Sequence, residues 1–208
     1  MPRADFRYLS VCSGMEAASL AFEPLGWKPL AFAEIDAAPR SLLAHRFPHV
    51  PLHGDFTRLR DDAALIAKAD LLCGGTPCQG FSLAGLRGSL KDDRSNLCLE
   101  FVRLANAIDD LRRNAGDEPC FILWENVPGV FSVNYVASAY QVRRLTPTEC
   151  ERLQGAPDGW TLVPNRGKPM ADGPRYKMLG NSWAVPCVRY IAQRIEAVRP
   201  QPKGDRTP

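Results

Sequence analysis

The 208-residue sequence contains no apolar run near the ~18 residues that a membrane span requires. Its first residues, MPRADFRYLSVCSG, are too poor in apolar side chains for a signal peptide. These absences predict a cytoplasmic protein with no membrane partner. Zinc-site spacing is missing too. There is no CxxC pair, and the three histidines, His45, His49 and His53, lie apart from most cysteines, so no metal is expected. The seven cysteines are an odd number scattered along the chain, which suits buried thiols in a reducing compartment rather than a disulfide framework. The G-x-G-x-x-G turn of dinucleotide binding is absent, as is any internal repeat. Neither sign of charge dominates. The 26 Lys and Arg against 23 Asp and Glu leave a net charge of +3, which permits a nucleic-acid partner without demanding one.

What is present is an ordinary globular composition, 45% hydrophobic and 24% charged. The length suits one domain, expected over 1–198, with a polar, Pro-rich tail over 199–208 expected to be disordered. Strands are predicted over 7–12, 29–34, 51–55, 70–73 and 120–124. Helices are predicted over 16–25, 37–46, 61–68 and 96–113. In the last of these Leu97, Phe101, Leu104, Ile108 and Leu111 recur at helical spacing. Strands alternating with helices imply crossover connections and a parallel α/β sheet covered on both faces. Beyond Val127 the pattern changes. Residues 131–144 alternate like an edge strand, and Thr146-Pro147-Thr148-Glu149 reads as a capped helix start. Residues 155–173 read as loop, and 183–198 as a closing helix.

Three strand ends carry chemistry. In VCSGMEAA, after the first strand, Ser13 and Gly14 turn the chain into a helix, where an open α/β sheet takes its ligand. Glu34 ends the second strand 20 residues after Gly14, the place of an acid that grips ribose hydroxyls, and Asp55 ends the third. Two acids and a glycine turn without a phosphate fingerprint suit a nucleoside ligand. After the fourth strand comes GGTPCQGFS, with Cys78 following Pro77 in a loop where its thiolate would be favoured by nearby helix N-termini. After the fifth comes WENVPG, where Glu125 and Asn126 would project over the same sheet edge as Cys78 and serve as acid or hydrogen-bonding partner.

Taken together, VCSG, AEID, GDF, GGTPCQGFS, ENVPG, RRLTPTECERLQG and LGNSWAVP follow one another as in the DNA cytosine-C5 methyltransferases. Over residues 7–195 the chain closely resembles that family, above all its phage and prophage members. The resemblance implies a Rossmann-like S-adenosyl-methionine-dependent methyltransferase sheet in a bacterial or phage-encoded enzyme of DNA methylation, of the kind found in restriction–modification. It implies S-adenosyl-methionine as methyl donor, with S-adenosyl-homocysteine as product. Ser13, Gly14, Met15 and Glu16 would lie along the methionine moiety, Glu16 standing where many members have glycine. Glu34 would accept the ribose hydroxyls, Ile35 would pack on the adenine, and Asp55, with Phe56 beside it, would accept the adenine amino group. Pro77, Asn181 and Ser182 would complete the pocket. Cys78 would be the nucleophile that adds to C6 of a flipped cytosine, with Glu125 on ring N3 and the amino group. Residues 79–96 would close over the base. Gln79, Ser82 and Asn126 would face DNA, and Arg87, Lys91 and Arg94 would meet phosphates.

One departure stands out. Between ENVPG and RRLTP the family inserts two further strands and its target-recognition region, and here only about residues 132–141 bridge the gap. Without groove-reading side chains, DNA binding is expected to be weak, salt-sensitive and nonspecific. The shortened sheet is expected to leave an edge open to self-association. The alternative to a complete enzyme is a catalytically impaired cofactor-binding form that needs a partner or second lobe. A tRNA acceptor is a further option, because relatives with the same PCQ and ENV segments modify tRNA.

Overall fold

The computed structural model describes residues 5–76, 96–125, 135–138 and 141–199. Five parallel strands form the central sheet: β1 (Arg7–Val11), β2 (Lys28–Ala33), β3 (Leu52–His53), β4 (Leu71–Gly75) and β5 (Phe121–Glu125), in the order β3-β2-β1-β4-β5. The chain starts in the middle and winds first to one edge and then to the other. The reversal lies at the carboxyl ends of β1 and β4, where such sheets open a crevice.

Side chains alternate across the sheet. Tyr8, Phe32, Leu71 and Cys73 enter one core, while Leu9, Val11, Ala31, Ala33 and Leu72 enter the other. The first core is covered by α1 (Ala17–Phe22), α2 (Ala37–Arg46), α6 (Asp172–Gly180) and α7 (Val185–Val198), and the second by α4 (Asn96–Ala115). Near-continuous apolar strands such as RYLSV follow from burial on both faces. On α4 it is Phe101, Leu104 and Ile108, spaced by three and four, that are buried.

Several predicted boundaries shift for local reasons. The expected helix 16–25 is α1 followed by a 3-10 turn, Glu23–Leu25, because Pro24 supplies no N–H, and Gly26 ends it at φ 72°. The expected strand 51–55 shrinks to β3, since the Asp55 carboxylate instead accepts from the Thr57 N–H and starts a 3-10 helix, Phe56–Asp61. The expected helix 61–68 is therefore only α3 (Ala63–Ile66), restarted by Asp62, which accepts from Leu65 N–H at 2.9 Å.

The expected edge strand 131–144 is two strands, β6 (Tyr135–Ser138) and β7 (Gln141–Arg144), paired antiparallel with each other in a separate sheet. The sequence between them, Ala139-Tyr140, lies outside the described residues and holds none of the Gly, Asn or Asp that announces a turn, so alternation ran through it unbroken. The helix α5 (Pro147–Gln154) starts as predicted, with reciprocal Thr146 and Glu149 caps. The expected loop 155–173 holds a small hairpin, β8 (Pro164–Asn165) with β9 (Lys168–Pro169), and the first two residues of α6, a helix not expected from the sequence. Tail residues 200–208 lie outside the described residues.

β5 ends the sheet among the described residues, and its Ile122 and Trp124 are each 45% exposed. No helix among the described residues is long and apolar enough to cross a membrane.

Candidate active site

The turn after β1 is built from left-handed residues. Cys12, Gly14 and Glu16 have φ of 51°, 55° and 59°. Two non-glycine residues in this conformation store strain that surrounding bonds must hold. Ser13 N–H donates to Ala33 O at 3.2 Å, and Gly14 N–H donates to Glu34 Oε2 at 2.9 Å. The other Glu34 oxygen accepts from the N–H groups of Ile35 and Asp36, both at 2.8 Å. One carboxylate thus joins the end of β2 to the glycine turn. Arg40 extends this brace by donating to the carbonyls of Glu34 and His53 at 2.8 and 2.6 Å. Beside Glu34 the apolar Ile35 is 73% exposed, an unusual exposure for its type. The Asp55 side chain is exposed at the end of β3.

Three expected site residues are buried, and two of them, Met15 and Glu16, also line the cavity that this turn opens. Phe56 is 5% exposed and packs with Leu9, Val11 and Leu72 in the core. Glu16 is 1% exposed and caps α1. The Ser10 hydroxyl donates to it at 2.8 Å, and the N–H and hydroxyl of Ser19 donate at 3.1 and 3.0 Å. Burial pushes its carboxyl up to about 7, against the opposing pull of these hydrogen bonds. Met15 is also buried in its side chain, while its carbonyl accepts from the Trp160 indole at 2.8 Å.

The turn opens onto a solvent-continuous cavity lined also by Gly74, Gly75, Asn181, Ser182 and Trp183. Here β4 passes so close to β1 that a Cβ on Gly74 would fall 2.4 Å from Val11 O. A Cβ on Gly75 would fall 2.8 Å from Glu125 Oε2, so only glycine admits that carboxylate. Glu125 in turn accepts from the Trp183 indole at 3.0 Å. The expected acid therefore stands at the border of the cavity lined by Ser13, Gly14, Asn181 and Ser182. Cys78 follows three residues after Gly75 in sequence. Pro77, Cys78, Gln79, Ser82, Arg87, Lys91, Arg94 and Asn126 lie outside the described residues. No group of three or more His, Cys, Asp or Glu among the described residues is placed to hold a metal ion.

Trp160, Trp183 and Arg40 escaped the reading of the sequence. Trp183 directly follows the GNS segment, but its partner is 58 residues away, and the partner of Trp160 is 145 away.

Fold and strand-end chemistry define a Rossmann-like methyltransferase sheet, with its crevice over β1 and β4. The chain belongs to the C-5 cytosine-specific DNA methylase family, whose sequence profile matches residues 6–136 and 132–197. The two matches meet where the sequence passes from ENVPG to RRLTP. Among relatives, the Escherichia phage P1 protein named DNA N-6-adenine-methyltransferase is 57% identical over 127 residues, which are 60% of this chain and 17% of that protein. The type II methyltransferase M1.HphI of Haemophilus parahaemolyticus is 35% identical over 134 residues, 61% of this chain and 34% of that protein. The chain thus spans between about a sixth and about a third of the length of these relatives. The crystal structure of S. pombe Dnmt2 methyltransferase shares the fold at TM-score 0.68 and 14% identity, over 93% of this chain and 99% of that one.

Proposed function

We propose that this chain binds S-adenosyl-methionine and transfers its methyl group to C5 of cytosine in DNA. The observation that carries the reading is Glu125, set by Gly75 and Trp183 at the rim of the cavity that the Gly14 turn opens. The residues fit the cofactor. Glu34, Asp55 and the exposed apolar Ile35 suit a nucleoside, and Ser13, Gly14, Asn181 and Ser182 line space for an amino-acid tail. When bound, the cofactor supplies an electrophilic methyl group on a sulfonium.

The chain's own groups do the rest. The Cys78 thiolate adds to C6 of the flipped base, and Glu125 delivers a proton to N3, so no net negative charge builds on the ring. C5 becomes an enamine carbon able to take the methyl group. The C5 proton then leaves to a base, the C6–S bond breaks to return the Cys78 thiolate, and N3 returns its proton to Glu125. Methylation of an adenine amino group, the activity named for the phage P1 relative, uses an exocyclic nitrogen that needs no thiol adduct and would leave Cys78 without a part. That relative's name covers a protein of which the chain matches 17%.

Labelled cofactor and DNA, followed by hydrolysis and mass spectrometry, should yield 5-methylcytosine and no N6-methyladenine, and Cys78→Ser should abolish it. Label in adenine, or transfer undiminished by that substitution, refutes the reading. A second reading, an incomplete unit completed by another lobe or chain, is supported by the place of β5 at the end of the sheet among the described residues and by the share of its relatives that the chain spans. It requires cofactor binding by calorimetry without turnover until that partner is supplied. Turnover by the pure chain dismisses it.

A further inference from the structure

We infer that Trp183 is a positioning residue for Glu125: its indole N–H holds Oε2 as the unprotonated oxygen and directs the proton shared with the base to Oε1. This rests on the reading that Glu125 meets cytosine N3. The indole Nε1 lies 3.0 Å from Glu125 Oε2. An indole N–H only donates, so it is satisfied by an oxygen that keeps a lone pair towards it. Gly75 lies directly beside this contact, since any Cβ there would stand 2.8 Å from the same oxygen and 3.2 Å from the indole nitrogen. The contact between carboxyl and ring therefore forms where residue 75 has no side chain to intrude. Trp183 also lines the cavity beside Asn181 and Ser182. The segment that closes the cofactor cavity thus also aims the acid, which ties the geometry of the base site to that of the donor site.

A hydrogen bond to the ionised carboxylate favours that form, so its removal raises the pKa of Glu125. Trp183→Phe keeps most of the ring and deletes the donor. We expect it to lower kcat roughly ten- to hundredfold, with the cofactor Kd within about twofold of native. The limb of the kcat/KM profile that reports Glu125 should move to higher pH, and Trp183→His should recover part of both changes. Native kcat and an unmoved profile in Trp183→Phe overturn the inference.

A readout independent of turnover separates this inference from the reading beneath it. Indole 15N labelling resolves four tryptophans, of which Trp183 is assigned by its loss in Trp183→Phe. From about pH 4 to about pH 9 its N–H resonance should follow the ionisation of Glu125, and the response should vanish in Glu125→Gln. A resonance indifferent to Glu125→Gln overturns the inference even in an active enzyme. A coupled resonance upholds the Trp183 contact even where the chain makes no 5-methylcytosine, in which case the functional reading alone fails.

Discussion

The backbone N–H of Gly14 donates to Oε2 of Glu34 at 2.9 Å, so the turn after the first strand and the acid after the second are one structural unit. The acid proposed to grip a ribose also holds the strained turn in shape. Glu34→Gln keeps the size but loses the charge. We expect cofactor affinity to fall about ten- to hundredfold by calorimetry, with a measurable loss of thermal stability as well. Unchanged affinity removes Glu34 from the cofactor site.

Gly75→Ala tests the approach of β4 to the acid. The added Cβ would meet Glu125 Oε2 at 2.8 Å, and Glu125 sits on the neighbouring strand, so the carboxylate must rotate away. Methyl transfer should drop at least about tenfold with little loss of stability, because the atom met is the far end of a flexible side chain. Retention of full activity would mean that the observed rotamer is not the working one.

Glu16 makes stability depend on pH, with an unusual sign for a carboxyl. Its folded value is about 7 against an ordinary 4.5. Between these values the native chain holds a proton that the unfolded chain has released, so stability falls as pH rises through this window. The loss levels off above about pH 7 at roughly 3 kcal/mol. Denaturation of Glu16→Gln should show a flatter dependence between about pH 5 and about pH 8 than the parent. Parallel curves would show that Glu16 is ionised in the fold.

A buried ionic cluster holds the segment between α5 and α6. Glu151, fully buried, accepts from the N–H groups of Gly159 and Thr161, from the Thr161 hydroxyl and from Arg175. Arg175→Met leaves that carboxylate without its cation. Chemical denaturation should report a loss of about 3–5 kcal/mol, and the melting temperature should fall by roughly 10 °C. A loss under about 1 kcal/mol would show the cluster to be exchangeable for apolar packing.

The order of strands and helices through β5 was legible in the sequence, because periodicity and turn chemistry act within a few residues, whereas β8, β9 and the helix Asp172–Gly180 were not. The helix Ala37–Arg46 matches its prediction, and the Thr146–Glu149 cap forms as read. The strand-end positions of Gly14, Glu34 and Glu125 were legible for the same reason, since a residue that ends a parallel strand must face the crevice. Tertiary structure alone decided what those residues touch. It turned Glu16 and Phe56 inward, paired Tyr135–Ser138 with Gln141–Arg144, and brought Trp183 to Glu125 and Trp160 to Met15 across 58 and 145 residues. Hydrogen-bond partners and burial depend on how distant segments meet in space, and no local spacing encodes that meeting.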